Sequence, residues 1–232
     1  MKKILLFLLF IGLSNWTFAD SRNFSFKIED TTINVRTPNG FYESSYVDQE
    51  ISQLVDMIFP PYLFNVHATL VPKDFMDEGS RYIILVSLPE YNKINITRKD
   101  FTELQALMRQ EQYTLMNEIS DDSNIVIENA VSNINNAYDT DMDFSYDETT
   151  PLGVFLDTEK AISFNTIMAG NYSDGYSEET TFYDQIGSTS FIYINKRVLV
   201  AYIYTDFNSQ KDIIWIEGKT RELIELLLKN NN

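Results

Sequence analysis

Two stretches of this sequence cannot lie on the surface of any sheet. In RYIILVSL both alternating sets are apolar, Tyr82, Ile84, Val86 and Leu88 against Ile83 and Leu85. In RVLVAYIY the same holds, Val198, Val200, Tyr202 and Tyr204 against Leu199, Ala201 and Ile203. Successive side chains of a strand point to opposite faces, so a strand apolar on both needs cover on both. The pair predicts two interior strands of a sheet with a layer on either side.

The other segments supply the layers. FSFKI (24–28) and TTINVR (31–36) alternate apolar and polar residues around a tight turn, as half-buried strands do. DQEISQLVDMIF (48–59) reads as a short helix with Ile51, Leu54, Val55 and Ile58 inward, stopped by Pro60 and Pro61. FNVHATLV reads as an edge or one-sided strand, with Phe64, Val66, Ala68 and Leu70 on one side and Asn65, His67 and Thr69 on the other. A capping box at Thr97 and Asp100 opens a helix with Phe101, Leu104, Met108, Leu115 and Ile119 at helical spacing. A second helix is expected over Ile127, Ala130, Val131, Ile134 and Tyr138.

VFLD and AISFNTIMA read as consecutive strands, and SFIYINKRVLVAYIYTDF as a hairpin turning at Asn195, Lys196 and Arg197. The tail TRELIELLLKNN is a helix with Thr220 as candidate cap and Leu223, Leu226 and Leu227 inward, while DIIWI fits either that helix or a separate strand. With no repeat, linker or change of composition, the whole predicts one α+β domain. It would be a mostly antiparallel sheet with helices packed on its faces.

The first nineteen residues, MKKILLFLLFIGLSNWTFA, have a basic start, an apolar run and a small residue, Ala19, at the end. That is the pattern of a signal peptide at 1–19. Its apolar run of about ten residues is short of the roughly twenty that span a bilayer. An exported chain, periplasmic or secreted, is expected, with a mature domain over 20–232 and no stable membrane insertion after cleavage. The net charge of −16 opposes nucleic acid and anionic membranes, which are gripped through lysine and arginine. With no cysteine and one histidine, thiol nucleophiles, disulfides and multi-histidine zinc sites are excluded.

RTPNGFYE, YIILVSLP followed by ITRKDFTEL, and INKRVLVAYIYTDFNSQKDIIW with its terminal helix resemble a group of uncharacterised exported bacterial proteins. Their layout is similar to the PsbP-like α/β/α sandwich. The resemblance covers most of the mature chain and implies the fold and an exported location. It implies no activity and carries over no catalytic residue, because that fold hosts non-enzymatic binding and assembly factors.

Two stretches are candidate sites. In AYDTDMDFSYDETT a calcium loop would draw oxygen ligands from Asp139, Asp141, Asp143, Ser145 and Asp147. Its sixth position is Phe144 where such loops need glycine, and its twelfth is Thr150 where they need a bidentate glutamate. The alternation also suits a strand edge with Met142, Phe144 and Tyr146 inward and the aspartates toward water. The strand edge is the primary expectation; a calcium or magnesium site is the alternative, and no other cofactor is expected.

GNYSDGYSEETTFYD mixes tyrosine with small polar residues, as adaptable recognition surfaces do. Tyr172, Tyr176 and Tyr183 could stack on a partner or sugar while Asp174 and Glu178 bind hydroxyls; an ordinary surface loop is the simpler alternative. His67 has no nucleophile elbow to serve, since GSTSF lacks the second glycine of G-x-S-x-G. The expected function is non-enzymatic binding or assembly outside the cytoplasm, with an unidentified protein or small polar ligand as partner. The alternative is a metal-assisted or carboxylate-based hydrolase.

Overall fold

The two interior strands are neighbours. A computed structural model describes residues 22–44, 55, 58–59, 61–72, 81–173 and 180–231, and leaves aside the side chains of 111–127, 146 and 147. The strands are β1 (Asn23–Ile28), β2 (Thr31–Arg36), β3 (Phe41–Glu43), β4 (Asn65–Pro72), β5 (Tyr82–Ser87), β6 (Asp143–Thr158), β7 (Ala161–Ser173), β8 (Thr181–Ile194) and β9 (Arg197–Asp206). The helices whose full extent is described are α1 (Pro89–Asn92), α2 (Arg98–Tyr138) and α3 (Gln210–Asn230). One antiparallel sheet runs β3-β4-β5-β9-β8-β7-β6, and β1 and β2 form a separate hairpin.

The alternation read from the sequence divides two cores. Ile83 and Leu85 of β5 join Leu199, Ala201 and Ile203 of β9 on one face. Ile84 and Val86 join Val200 and Tyr202 on the other. The first face is closed by Ile216, Leu223, Ile224 and Leu227 of α3 and by Ile28, Ile33 and Val35 of the β1–β2 hairpin. The second is closed by Val55, Phe59 and Phe64. Beside them Phe101 of α2 stacks on Tyr193 of β8 with ring centroids 5.5 Å apart. Each fully buried Ile or Leu in these faces stabilises the fold by roughly 1.5–3 kcal/mol before entropy is counted. The chain is thus α+β, with an antiparallel sheet and helices against it.

The buried Arg197 joins three parts of the first layer. Its guanidinium donates to the Asp30 carboxylate (2.7 Å), to Thr31 Oγ1 (3.2 Å) and to the Ile94 carbonyl (2.8 Å). The β1–β2 turn and the segment after α1 are thereby fixed to the start of β9.

Several expectations are corrected. The helix from Thr97 and the one around Ala130 are a single helix, α2, of 41 residues. Residues 120–126, SDDSNIV, hold no glycine or proline, and serine, aspartate and asparagine cost only tenths of a kcal/mol each inside a helix. The capping box is as expected: Asp100 N–H donates to Thr97 Oγ1 (3.2 Å) and Thr97 N–H to the Asp100 carboxylate (2.7 Å).

DIIWI is helical, because Ser209 caps α3 with Asp212 and Gly218 lies within the helix. Thr220 is therefore no cap. It is buried mid-helix, donating to the Ile216 carbonyl (2.8 Å), 2.9 Å from Ser188 Oγ. Ile224 is buried where Leu226 was expected, and Leu226 is half-buried. The β8–β9 turn is Asn195–Lys196, both at positive φ, and Arg197 already belongs to β9.

In β4 the register shifts between Val66 and Ala68. The shift puts Phe64 and Val66 on the second face and Ala68 and Leu70 on the first, so the four do not share a side. β4 is also an inner strand, since β3 pairs outside it. The leader, and Ile51 and Leu54 of the expected 48–59 helix, lie outside the described residues; Val55 and Ile58 are helical.

Candidate functional site

β9 ends where Asp206 pairs with Gln185, and Phe207 N–H closes the ladder on the Asp184 carbonyl (2.8 Å). β6, β7 and β8 continue beyond that point as a three-stranded arm. α2 runs antiparallel to β6. At one end Gln105 donates to the Thr158 carbonyl (2.6 Å), and Arg109 grips Asp157 through two bonds (2.5 and 2.9 Å). At the other end Asn135 donates to the Met142 carbonyl (2.8 Å) and accepts from Met142 N–H (2.9 Å). Helix and strand together hold the arm from base to tip. β6 itself is broken by three register shifts, between Tyr146 and Glu148, Pro151 and Gly153, and Val154 and Leu156.

The arm brings together two of the expected binding residues. Phe144 pairs with Tyr172, and Gly170, two residues away on the same face of β7, pairs with Tyr183. The Tyr172 and Tyr183 rings are 6.4 Å apart and the Phe144 and Tyr183 rings 5.4 Å apart, all three residues half-buried. Gly170 is required there: a Cβ would press into the Ser145 carbonyl oxygen and lie 2.5 Å from the Tyr183 hydroxyl. Counting along β8, Tyr183 shares the side of Phe191 and Tyr193, which is the α2 side of the sheet. Asp174, Tyr176 and Glu178 fall outside the described residues.

The acidic stretch turns from α2 into β6. Asp139 closes the helix in the left-handed conformation (φ 52°, ψ 48°), which aspartate tolerates better than most residues. Asp141 is exposed in the connector. Asp143 opens β6, exposed, its carboxylate accepting from Phe144 N–H (2.9 Å). The side chain of Asp147 is outside the described residues. Among the described residues no three His, Asp or Glu side chains converge as the ligands of one cation would.

His67 has a partner that sequence reasoning missed. Its Nε2 lies 2.7 Å from Ser87 Oγ on β5, and Phe26 of the hairpin stacks on the ring at 4.4 Å between centroids, nearly parallel. The ring therefore faces the first core rather than a polar sheet surface, and desolvation pushes its pKa down to about 4. A serine beside a neutral histidine is the start of a nucleophilic dyad. Ser87 is 0% exposed, however, so its hydroxyl is out of reach of any substrate in this conformation. The pair became visible only through the β4–β5 register, which no local motif announces.

No family model and no curated protein matches the chain. Among solved structures it is similar to the Saccharomyces cerevisiae Ran-binding protein Mog1p, at 9% identity over 91% of this chain and 95% of that one. The TM-score is 0.34, too low for the likeness to carry any functional weight.

Proposed function

We propose that this is an exported, single-domain binding or assembly protein of PsbP-like layout that recognises another protein through the tip of the β6–β8 arm. The observation that carries the reading is the gathering of Phe144, Tyr172 and Tyr183 on one face of the arm, where the sequence mixture favours recognition. Tyrosines in such a position add contact area at low entropic cost and keep a hydroxyl for hydrogen bonding. A small polar ligand is the narrower version of the same reading. No observation favours the hydrolase alternative.

The test is site-specific photo-crosslinking of the full chain in extract of its own cells, with the reactive residue at exposed Thr180 and a control at exposed Glu225 on α3. A discrete protein adduct at Thr180, lost when Tyr172 is replaced by alanine, is the expected result. Equal labelling at both positions, or none at Thr180, overturns the reading. A calcium, magnesium and EDTA melting series tests the cation loop separately, since a ligand of the native state raises Tm.

A further inference from the structure

The net negative charge of this protein is concentrated in one part of it. Between Gln110 and Asn195 there are sixteen aspartates and glutamates and a single basic residue, Lys160. That segment holds fifteen of the sixteen net negative charges, and the rest of the chain is close to neutral. It comprises most of α2 and all of β6, β7 and β8. Lys160 sits in the β6–β7 turn, at the base, leaving the tip of the arm without a described lysine or arginine.

The same tip presents bare apolar surface on the side away from the tyrosines. Phe182 alternates with Tyr183, so it shares the face of Ile186 and Ile192, the face that α3 covers. α3 starts only after β9 has ended opposite Gln185, and Phe182 lies beyond it, 75% exposed. Ile214 of α3 is also an exposed apolar side chain, 67% open to water. It sits on the α3 flank from which Glu217 meets Asn165 of β7 and Arg221 meets the Phe155 carbonyl of β6. Asp184 and Glu148 are exposed on either side of Ala169, with which each is paired.

We infer that this α3-side face of the arm seats a lysine- or arginine-rich protein segment bearing an apolar side chain, with Phe182 as the apolar anchor. The inference rests on the protein-binding reading above, extends it from the tyrosine face to the opposite face of the same arm tip, and adds the chemistry of the partner. Charge complementarity selects the occupant. A field of this sign repels nucleic acid and anionic lipid, and raises the encounter rate with a cationic surface. The described carboxylates are spread along the arm instead of converging, an arrangement that suits several separated cations better than one metal ion. An aromatic anchor within a charged surround is the usual composition of a hot spot with a polar rim.

The probe is a fluorescent lysine-rich peptide containing phenylalanines, titrated against the full chain at low and at physiological salt. Its controls are the same peptide with serine for phenylalanine and with glutamate for lysine. Salt-sensitive binding of the first peptide is expected, with Phe182→Ser weakening it roughly tenfold. The serine peptide should bind wild type and Phe182→Ser alike, and Asp184→Asn with Glu148→Gln should flatten the salt dependence. Phe182 is exposed, so an unchanged melting curve confirms that the variant folds.

Equal affinity of wild type and Phe182→Ser for the phenylalanine peptide overturns the inference, as does displacement of the peptide by calcium chloride beyond the effect of matched ionic strength. A Thr180 adduct with a protein lacking a cationic segment, together with no peptide binding, sinks this inference and leaves the binding reading standing. Loss of both the adduct and the peptide sinks the two together.

Discussion

The Nε2 of His67 and the Oγ of Ser87 are 2.7 Å apart inside the protein, beneath the ring of Phe26. With its pKa held to about 4, the imidazole is neutral at pH 7 in the folded chain. An unfolded chain takes up the proton near pH 6.5. Between those two values the unfolded state binds more protons, so stability is complete above about pH 6.5 and is lost as pH falls through 4. His67→Gln should show a shallower fall in Tm than wild type across that window, measured by thermal melts at matched ionic strength. Parallel curves would mean that the ring titrates freely.

Arg197 and Asp30 contribute unequally to the same contact. Arg197→Leu removes the donors to the part-buried Ile94 carbonyl and Thr31 hydroxyl, and should lower stability by about 1–3 kcal/mol in urea unfolding. Asp30 is open to water, so Asp30→Asn should cost much less.

Ser209 and Thr220 separate the two readings of where the last helix begins. Ser209 accepts from Lys211 N–H (3.3 Å) and Asp212 closes the box on Ser209 N–H (2.8 Å). Ser209→Ala should therefore cost about 1 kcal/mol. Thr220→Gly would be mild at an N-cap but damaging mid-helix, where about 1 kcal/mol of propensity is lost together with the contact to Ser188. Urea unfolding of the two variants decides between them.

Gly170→Ala probes the packing of the arm. The added methyl group meets a backbone oxygen and the Tyr183 hydroxyl, and overpacking of this kind costs roughly 1–3 kcal/mol. Adding Tyr183→Ala should restore only part of it, because the Ser145 carbonyl stays in place. Full restoration would show that the strands can separate freely at this point.

The double-sided apolar pattern of Tyr82–Leu88 and Val198–Tyr204 was legible because alternation is a local property. From it followed the sheet, its two layers and the α+β class. The capping box at Thr97 was legible for the same reason, since it closes within four residues. What escaped depended on distant partners. The His67–Ser87 contact exists only in the β4–β5 register. Thr220 carries the side chain of a cap, yet its burial against Ser188 decides its role. Two helices were expected where one runs, and residues 120–126 hold no glycine or proline that would stop it. At the candidate site, the meeting of Tyr172 with Tyr183 follows from the β7–β8 pairing, which their shared stretch of sequence suggested without fixing which rings would touch.

β6 is sixteen residues long and lies at the margin of the sheet. A straight strand of that length would be an inviting template for a second molecule to add its own backbone, and then a third. Its three changes of register, with Pro151 and a Gly153 at φ 96° among them, cut the available ladder into runs too short for such recruitment. The same irregularities thus blunt the open margin of the sheet against edge-to-edge pairing.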